Sequence, residues 1–341
     1  MQTQVLQPTQ ENLQLAAAIF RSGGLVGMPT ETVYGLGANA LDQNAALAIF
    51  AAKGRPADNP LIVHISALDQ LDNVVSAVPD CAKKLMDAFW PGPLTLIMPK
   101  HERIPLAVTA GLSTVAVRFP VHPVAREMID LAGLPIAAPS ANLSGRPSPT
   151  TAQHVLDDLN GRIPLIIDGG PCQVGLESTV VDTTRERAVL LRPGGVTREM
   201  LQDALGEEVL LGKGVMEPLR DGEKALSPGL LHKHYAPRAQ VRVVLGEDEA
   251  RIAYIREQAA QDERPCVLCL DARKDRYGKL PVLSAGDTPE SYAHNLFAAL
   301  RAADDAGYTH VYAEGLSLDG VGLAVMNRIE RAAGFHIITV S

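Results

Sequence analysis

Cysteine is scarce. The four in 341 residues, Cys81, Cys172, Cys266 and Cys269, are too few and too scattered to staple a fold, so the chain must stand on its own packing and its thiols are expected to be reduced. Aromatic residues make up 4%, with Trp90 the single tryptophan, which leaves little material for a base-stacking platform. No apolar stretch escapes charge, proline or glycine for the length of a membrane span, which excludes a transmembrane protein. Residues 1–20 lack the basic start, apolar run and small-residue cleavage site of a secretory signal, so the cytoplasm is the expected compartment. Lys and Arg number 31 against 39 Asp and Glu, a formal charge of −8 that argues against a wholly basic nucleic-acid coat yet leaves room for one basic groove. Fixed-period repeats and low-complexity tracts are also missing.

What the chain does have is core material. With 46% hydrophobic and 21% charged residues and a mean hydropathy of +0.05, it can bury an interior, and its length predicts two domains. Leu13, Ala16, Ala17 and Phe20 recur at helical spacing up to Gly23-Gly24, so the chain is expected to open with a helix followed by a strand over Leu25–Met28. Strand-like runs follow at Leu61–Ile65, Leu94–Met98, Thr114–Phe119, Ile136–Ala138, Leu165–Ile167, Thr179–Val181 and Ala188–Leu191. Helical patterns occupy 42–52, 79–89, 123–132 and 150–159, and the strands crowd without intervening helices toward residue 190, which predicts a mixed sheet in an α/β domain over 1–205. The periodicity lapses over 206–238, a long connector. From 239 to 341, strand runs at Val241–Leu245, Cys266–Leu270, His310–Ala313 and His336–Val340 alternate with helical stretches near 247–261, 288–304 and 319–333, the pattern of a small parallel α/β unit.

Several strings carry polar chemistry at strand ends. Pro29-Thr30-Glu31-Thr32-Val33-Tyr34-Gly35-Leu36-Gly37 directly follows a strand, where an α/β sheet opens its ligand crevice, although a plain strand-to-helix turn has the same composition. Lys53-Gly54-Arg55-Pro56-Ala57-Asp58-Asn59-Pro60 sets two cations around a glycine, suited to a polyphosphate or simply to the dipole at a helix C-terminus. It is not a Walker loop, since no G-x-x-x-x-G-K-[ST] string occurs. His64 shares a strand face with apolar neighbours, the usual setting of a hydrogen-bonded core histidine. Arg118 interrupts an apolar strand, and such a charge needs an internal partner or a ligand anion. Ala138-Pro139-Ser140-Ala141-Asn142 through Ser148-Pro149-Thr150 offers donors for phosphate oxygens, and Ser140 lacks the G-x-S-x-G elbow of a nucleophile. Gly175-Leu176-Glu177-Ser178-Thr179 and Leu191-Arg192-Pro193-Gly194-Gly195 add two further anion-binding candidates. Cys266-Val267-Leu268-Cys269 lies inside a predicted strand without a second CxxC, which points to buried packing rather than zinc, and Trp90 in a helix-stop context reads as a packing anchor.

Taken together, in order along the chain, these strings resemble the threonylcarbamoyl-AMP synthase family, over about Leu15 to Val196. The connector string Ser227-Pro228-Gly229-Leu230-Leu231-His232-Lys233-His234-Tyr235-Ala236-Pro237 is similar to the linker of the long form of that family, in which a smaller domain follows. The resemblance implies a YrdC-like mixed twisted sheet with flanking helices plus a smaller Rossmann-like parallel-sheet domain. It implies a nucleotidyltransferase that joins L-threonine, bicarbonate or carbon dioxide, and ATP into threonylcarbamoyl-adenylate and pyrophosphate for tRNA modification, normally with magnesium. The magnesium ligands stay unassigned, and no covalent nucleophile is expected. By similarity, threonine would be bound by Thr32, His64, Arg118, Ala138 and Ser178, and ATP by Lys53, Arg55, Asn59, Thr114, Ser140, Ser148, Arg192, His234 and Tyr235. Downstream tRNA-modifying proteins are the implied partners, with transient tRNA binding and no membrane.

Two other readings compete. Lys53, Arg55, Arg118, Arg146 and Arg192 together resemble a basic concavity of a double-stranded RNA or tRNA binding module without catalysis. A related carbamoyl transferase using carbamoyl phosphate would carry such a domain beside acylphosphatase or zinc-finger modules, and the cysteines here are too few for a zinc-finger array. On the synthase reading, closure of the 206–238 connector shields a labile mixed anhydride from water. Tyr235→Ala is then expected to shorten the lifetime of the adenylate, followed by chromatography of quenched reactions, and an unchanged lifetime and yield would refute the shielding role.

Overall fold

The computed structural model describes residues 2–217 and 234–341, and their contacts divide the chain into two units. The first comprises residues 1–144, 148–173 and 177–231, and the second comprises Gly145–Pro147, Val174–Leu176 and residues 232–341. The part of the connector on which most of the lid reading falls, 218–233, lies outside the described residues.

In the first unit the elements run β1 (Gln4–Leu6), α1 (Gln10–Arg21), β2 (Val26–Met28), β3 (Gly35–Asn39), α2 (Gln43–Lys53), β4 (Ile62–His64), α3 (Asp80–Phe89), β5 (Leu94–Pro99), α4 (Leu106–Thr109), β6 (Thr114–Arg118), α5 (Pro123–Ala132), β7 (Ile136–Ala137), α6 (Ala152–Leu159), β8 (Leu165–Ile167), β9 (Thr179–Asp182), β10 (Val189–Arg192), α7 (Arg198–Leu205) and β11 (Leu210–Leu211). Among the described residues eleven strands form one mixed sheet in the order β1-β8-β2-β3-β7-β4-β6-β5-β9-β10-β11. Local chemistry sets the helix ends. Thr9 caps α1 through a bond from Asn12 N, Asp42 caps α2, and Gly54 and Gly133 close α2 and α5 in the left-handed conformation that a side chain disfavours. The apolar stripe Leu13, Ala16, Ala17 and Phe20 of α1 meets Met128, Ile129 and Ala132 of α5 and the sheet residues Val26, Met28, Ile136, Leu165 and Ile167, forming a core on one sheet face.

Two expectations fail here. The chain opens with a strand, β1, paired in parallel with β8, and not with a helix. Three short residues of edge pairing leave too weak a periodicity to detect. Moreover, Gly35–Gly37 does not turn into a helix. It runs antiparallel to β2 and, as β3, continues onto β7, so the polar string from Pro29 is a strand-to-strand loop. Gly37 permits this because a Cβ there would stand 2.9 Å from the Phe20 ring. Between 206 and 217 the connector still contributes β11, which pairs in parallel with β10.

The second unit continues with β12 (Gln240–Gly246), α8 (Asp248–Ala259), β13 (Pro265–Cys269), β14 (Val282–Ser284), α9 (Pro289–Asp305), β15 (His310–Glu314), α10 (Gly322–Ala332) and β16 (Ile337–Val340). Its five strands are all parallel, in the order β14-β13-β15-β12-β16, the expected small parallel sheet with one further strand, β14, a half-buried edge strand without a buried apolar run. Cys266 and Cys269 are buried in β13. At the carboxyl end of β15, Glu314 accepts hydrogen bonds from Tyr277 and, at 2.9 Å, from Arg273, so its buried charge is matched inside the unit. Val174–Leu176 lie against α9 so closely that a Cβ on Gly175, whose φ is +79°, would fall 2.3 Å from the His294 carbonyl oxygen. No helix among the described residues is long and apolar enough to cross a membrane.

Phe20 is fully buried between α1 and the sheet. Phe20→Ala is expected to lower the stability of the first unit by about 3–5 kcal/mol, read from urea denaturation, and a loss below about 1 kcal/mol would show that the site collapses around the cavity.

Candidate active site

Register brings the first group of residues together. In the parallel pair β4 and β6, His64 stands beside Arg118, and in the antiparallel pair β5 and β6, Thr95 stands opposite Arg118. The Arg118 guanidinium, 3% exposed, has two hydrogen bonds and one ion-pair contact. Nη1 donates to Thr32 Oγ1 at 2.7 Å, Nε to the Gly92 carbonyl at 3.4 Å, and Nη2 lies 2.6 Å from Glu31 Oε1. Arg118 therefore has the internal ion partner that its position in an apolar strand demanded. Burial alone would raise the Glu31 carboxyl, but the Arg118 charge and its hydrogen bonds outweigh burial and hold it below the usual carboxylate range. His64 is 4% exposed and shares a 3.1 Å contact between Nδ1 and the Ile62 carbonyl. Burial and, after it, the Arg118 charge push its pKa down to about 3 despite the opposing pull of Glu31, so the ring is neutral at pH 7.

Ser178 belongs to the next group. Its hydroxyl shares a 2.7 Å hydrogen bond with Thr95 Oγ1 and accepts from Arg192 Nη2 at 3.1 Å, while Arg192 Nε reaches the Ser178 carbonyl at 3.0 Å. Ser148 donates to Glu177 Oε1. The Ala138 N–H donates to the Ile62 carbonyl at 2.9 Å, which fixes the start of the Pro139–Asn142 loop against β4, and Ser140 bridges to Gly35. Thr32, His64, Arg118, Ala138, Ser178, Ser148 and Arg192 all fall in the first unit, at or beside strand ends.

Lys53 has a different surrounding from an open phosphate site. It is 3% exposed at the end of α2, and its ammonium donates to the Ser140 carbonyl and, at 2.7 Å, to the Asn142 carbonyl, while Ser144 N donates back to the Lys53 carbonyl. Burial, followed by the nearby Arg55 charge, lowers its pKa well below the ordinary lysine value against the pull of Asp158 and Glu177. The lysine thus pins the loop in which Ser140 Oγ donates to Asn142 Oδ1 at 2.6 Å. Asn59 is fully buried, and its amide nitrogen and oxygen have no hydrogen-bond partner among the described residues, the condition of a group awaiting a ligand. Arg55 lies with its guanidinium 5.8 Å from the Phe50 ring centre.

Some expected site residues stand apart. Thr114 begins β6 and Arg118 ends it, so the two are separated by about 13 Å of extended chain, with Thr114 at the end of the sheet where Asn59 and Pro60 lead into β4. His234 and Tyr235 belong to the second unit. There Tyr235, 4% exposed with φ 63°, stacks on Phe297 at 5.2 Å with Arg328 5.6 Å from its ring centre. Trp90 donates Nε1 to the Leu94 carbonyl at 2.8 Å and meets Phe119 edge to face, a packing anchor. The individual site assignments left out Glu31, Thr95, Asn142 and Glu177, although all but Thr95 stand within the polar strings. For Glu31 the signal was present, a carboxylate between two threonines after a strand. Thr95 carries none, since a mid-strand threonine is ordinary.

Comparison with known proteins places the chain. Residues 18–194 match the family described as Telomere recombination, and residues 196–334 match the Threonylcarbamoyl-AMP synthase, C-terminal domain. The threonylcarbamoyl-AMP synthase of Pyrococcus abyssi is 48% identical over 332 residues, covering 96% of each chain, and that of Bacillus subtilis is 45% identical over 339 residues, covering 98% of this chain and 97% of the other. The crystal structure of P. abyssi Sua5 complexed with L-threonine superposes with a TM-score of 0.93 at 45% identity, covering 99% of this chain and 100% of that one. An α/β scaffold with polar loops at its strand ends is where such sheets bind small ligands, and the relatives make this one an enzyme. The chain belongs to the threonylcarbamoyl-AMP synthase family.

The depressed His64 titration gives a pH prediction. A histidine kept neutral by the fold contributes stability that is complete above its ordinary value of 6.5 and is lost as pH falls through that value toward about 3. Replacing it by glutamine is expected to flatten this acid limb. Urea denaturation at a series of pH values compares His64→Gln with the unsubstituted protein, and equal slopes between pH 6.5 and 3 would show that His64 is not the titrating group.

Proposed function

We propose that this protein is an L-threonylcarbamoyladenylate synthase, which converts L-threonine, bicarbonate or carbon dioxide, and ATP into threonylcarbamoyl-AMP and pyrophosphate. The observation that carries the reading is the convergence of Thr32, His64, Arg118 and Ser178 at the ends of β4, β6 and β9, in a chain that superposes over its length on a relative described in complex with L-threonine. In this reading Arg118 meets the carboxylate of threonine, with Thr32 steering the guanidinium and the neutral His64 and Ser178 offering uncharged hydrogen-bonding groups. Residues 1–205 form the catalytic part, and the cytoplasm is the compartment.

ATP would lie along the loops that Lys53, Asn59, Ser140, Ser148 and Arg192 build. Lys53 acts there by holding the Ser140–Asn142 carbonyls in place, and Asn59 supplies an amide with neither end paired among the described residues. Arg55 and Thr114 complete the proposed nucleotide set within the first unit. The reaction asks for positioning: a threonine carbamate set in line with the α-phosphorus displaces pyrophosphate, without a covalent enzyme intermediate. The resemblance implies magnesium carried with ATP, an ion that keeps most of its ligands from phosphates and water. The Glu177 carboxylate and the Ser148 hydroxyl fit as the hard oxygen donors for such magnesium, which when bound neutralises charge on the leaving pyrophosphate. Downstream tRNA-modifying proteins would receive the adenylate.

The RNA-binding alternative needs an exposed basic concavity. Three of its five cations, Lys53, Arg118 and Arg192, are 3%, 3% and 5% exposed and already engaged by protein groups, so they present no open phosphate track.

Pyrophosphate release from ATP and magnesium, with L-threonine and bicarbonate each supplied or omitted, tests the assignment. Release is expected to require both co-substrates, and Arg118→Ala is expected to lower kcat/KM for threonine by about a hundredfold, the scale of losing a charge-assisted contact. Release that needs neither co-substrate, or tight tRNA binding without release, would overturn the assignment.

A further inference from the structure

The charge on β6 is matched before any ligand arrives. Glu31 and Arg118 are each 4% exposed in their side chains and meet at 2.6 Å, and Glu31 Oε1 also accepts from Val121 N at 3.3 Å. The other titratable groups facing this pair are neutral at pH 7. His64 on β4 and His122 before α5 are both pushed down by burial, and the Cys172 thiol, from the loop after β8, is pushed up to about 12 by burial. Glu31 and Arg118 therefore cancel one another, and His64, His122 and Cys172 add no charge to the pair.

Stability alone does not account for the pair. Replacing a buried ion pair by well-packed apolar residues is usually neutral or favourable, and Glu31 Oε2 is buried without a hydrogen-bond partner among the described residues, a further cost. The benefit lies in what the pocket then accepts. An isolated carboxylate entering a buried neutral site brings an unmatched negative charge, whereas a zwitterion brings one charge of each sign and leaves the sum unchanged.

We propose that Glu31 is a positioning and specificity-determining residue that cancels the charge of Arg118, so that the pocket accepts a zwitterionic amino acid and rejects a carboxylate lacking the α-ammonium group. Glu31 touches no substrate. It acts through Arg118, pairing with Nη2 from one side while Thr32 holds Nη1 from another, so the guanidinium has one orientation and its charge is already balanced when the ligand carboxylate meets it. This inference rests on the reading that Arg118 meets the carboxylate of threonine.

The test is calorimetric titration of the unsubstituted protein, Glu31→Gln and Glu31→Asp with two ligands, L-threonine and its deamino analogue 3-hydroxybutyrate. The unsubstituted protein is expected to favour L-threonine. Glu31→Gln, which leaves the Arg118 charge unmatched, is expected to narrow that preference by at least about tenfold, chiefly by gaining affinity for 3-hydroxybutyrate, while Glu31→Asp keeps it. A merely structural role would weaken both ligands together. If Glu31→Gln keeps the full preference, the role of Glu31 is refuted while the threonine site stands. Should Glu31→Gln fail to fold, the other two proteins still decide: equal affinity of the unsubstituted protein for both ligands, or loss of preference in Glu31→Asp, overturns the proposal. Absence of any L-threonine binding by the unsubstituted protein overturns the site assignment itself.

Discussion

A guanidinium buried in an apolar strand is the constraint around which the first unit is arranged. Arg118 cannot keep its charge at 3% exposure unless groups from other elements come to it, and three do: Glu31 and Thr32 from the loop after β2, and the Gly92 carbonyl from the turn before β5. Those contacts hold the Pro29–Tyr34 loop over the ends of β4 and β6. The parallel register of those strands then sets His64 beside the same charge, and that charge together with burial keeps the imidazole neutral. The hydroxyl of Ser178 is fixed by Thr95 and Arg192 along the neighbouring strands. A site built this way is preorganised, because its polar groups are oriented by one another.

The same economy governs the proposed nucleotide loops. Lys53 spends its ammonium on two backbone carbonyls, so its contribution is the shape of the Ser140–Asn142 loop. Pinning a loop through main-chain carbonyls tolerates changes in the loop's side chains but not in the lysine's reach, and it brings a charged group into a place where burial works against the charge. Asn59 shows the opposite condition, a buried amide whose nitrogen and oxygen have no hydrogen-bond partner among the described residues.

The second unit is organised by the same rule without a chemistry assigned to it. Glu314 at the carboxyl end of β15 is satisfied by Tyr277 and Arg273, and Tyr235 is held by Phe297 and Arg328. A parallel sheet of this kind offers a crevice at its strand ends, but here the polar groups at that end bond to one another.

Much of the architecture was legible in the chain itself. Period-3.6 stripes and β-rich apolar runs located the principal helices and strands and separated a mixed sheet from a parallel one, because burial of one face leaves a repeating mark on the residues. The edge strands β1, β14 and β11 are exposed or half-buried and left no such mark, whereas the equally short but buried β7 and β8 did, and the strand β3 was hidden by glycines that permit the close approach of Phe20. The sequence also determined that Arg118 must have a partner, since a charge in an apolar strand is costly wherever it is buried. Only the tertiary structure decided that the partner is Glu31, 87 residues away in the chain, that Lys53 faces carbonyls, and that Thr114 and Arg118 stand at opposite ends of one strand. The physical reason is that charge and polarity are properties of a residue, whereas their neutralisation depends on distances of a few ångströms between residues that strand register alone brings together.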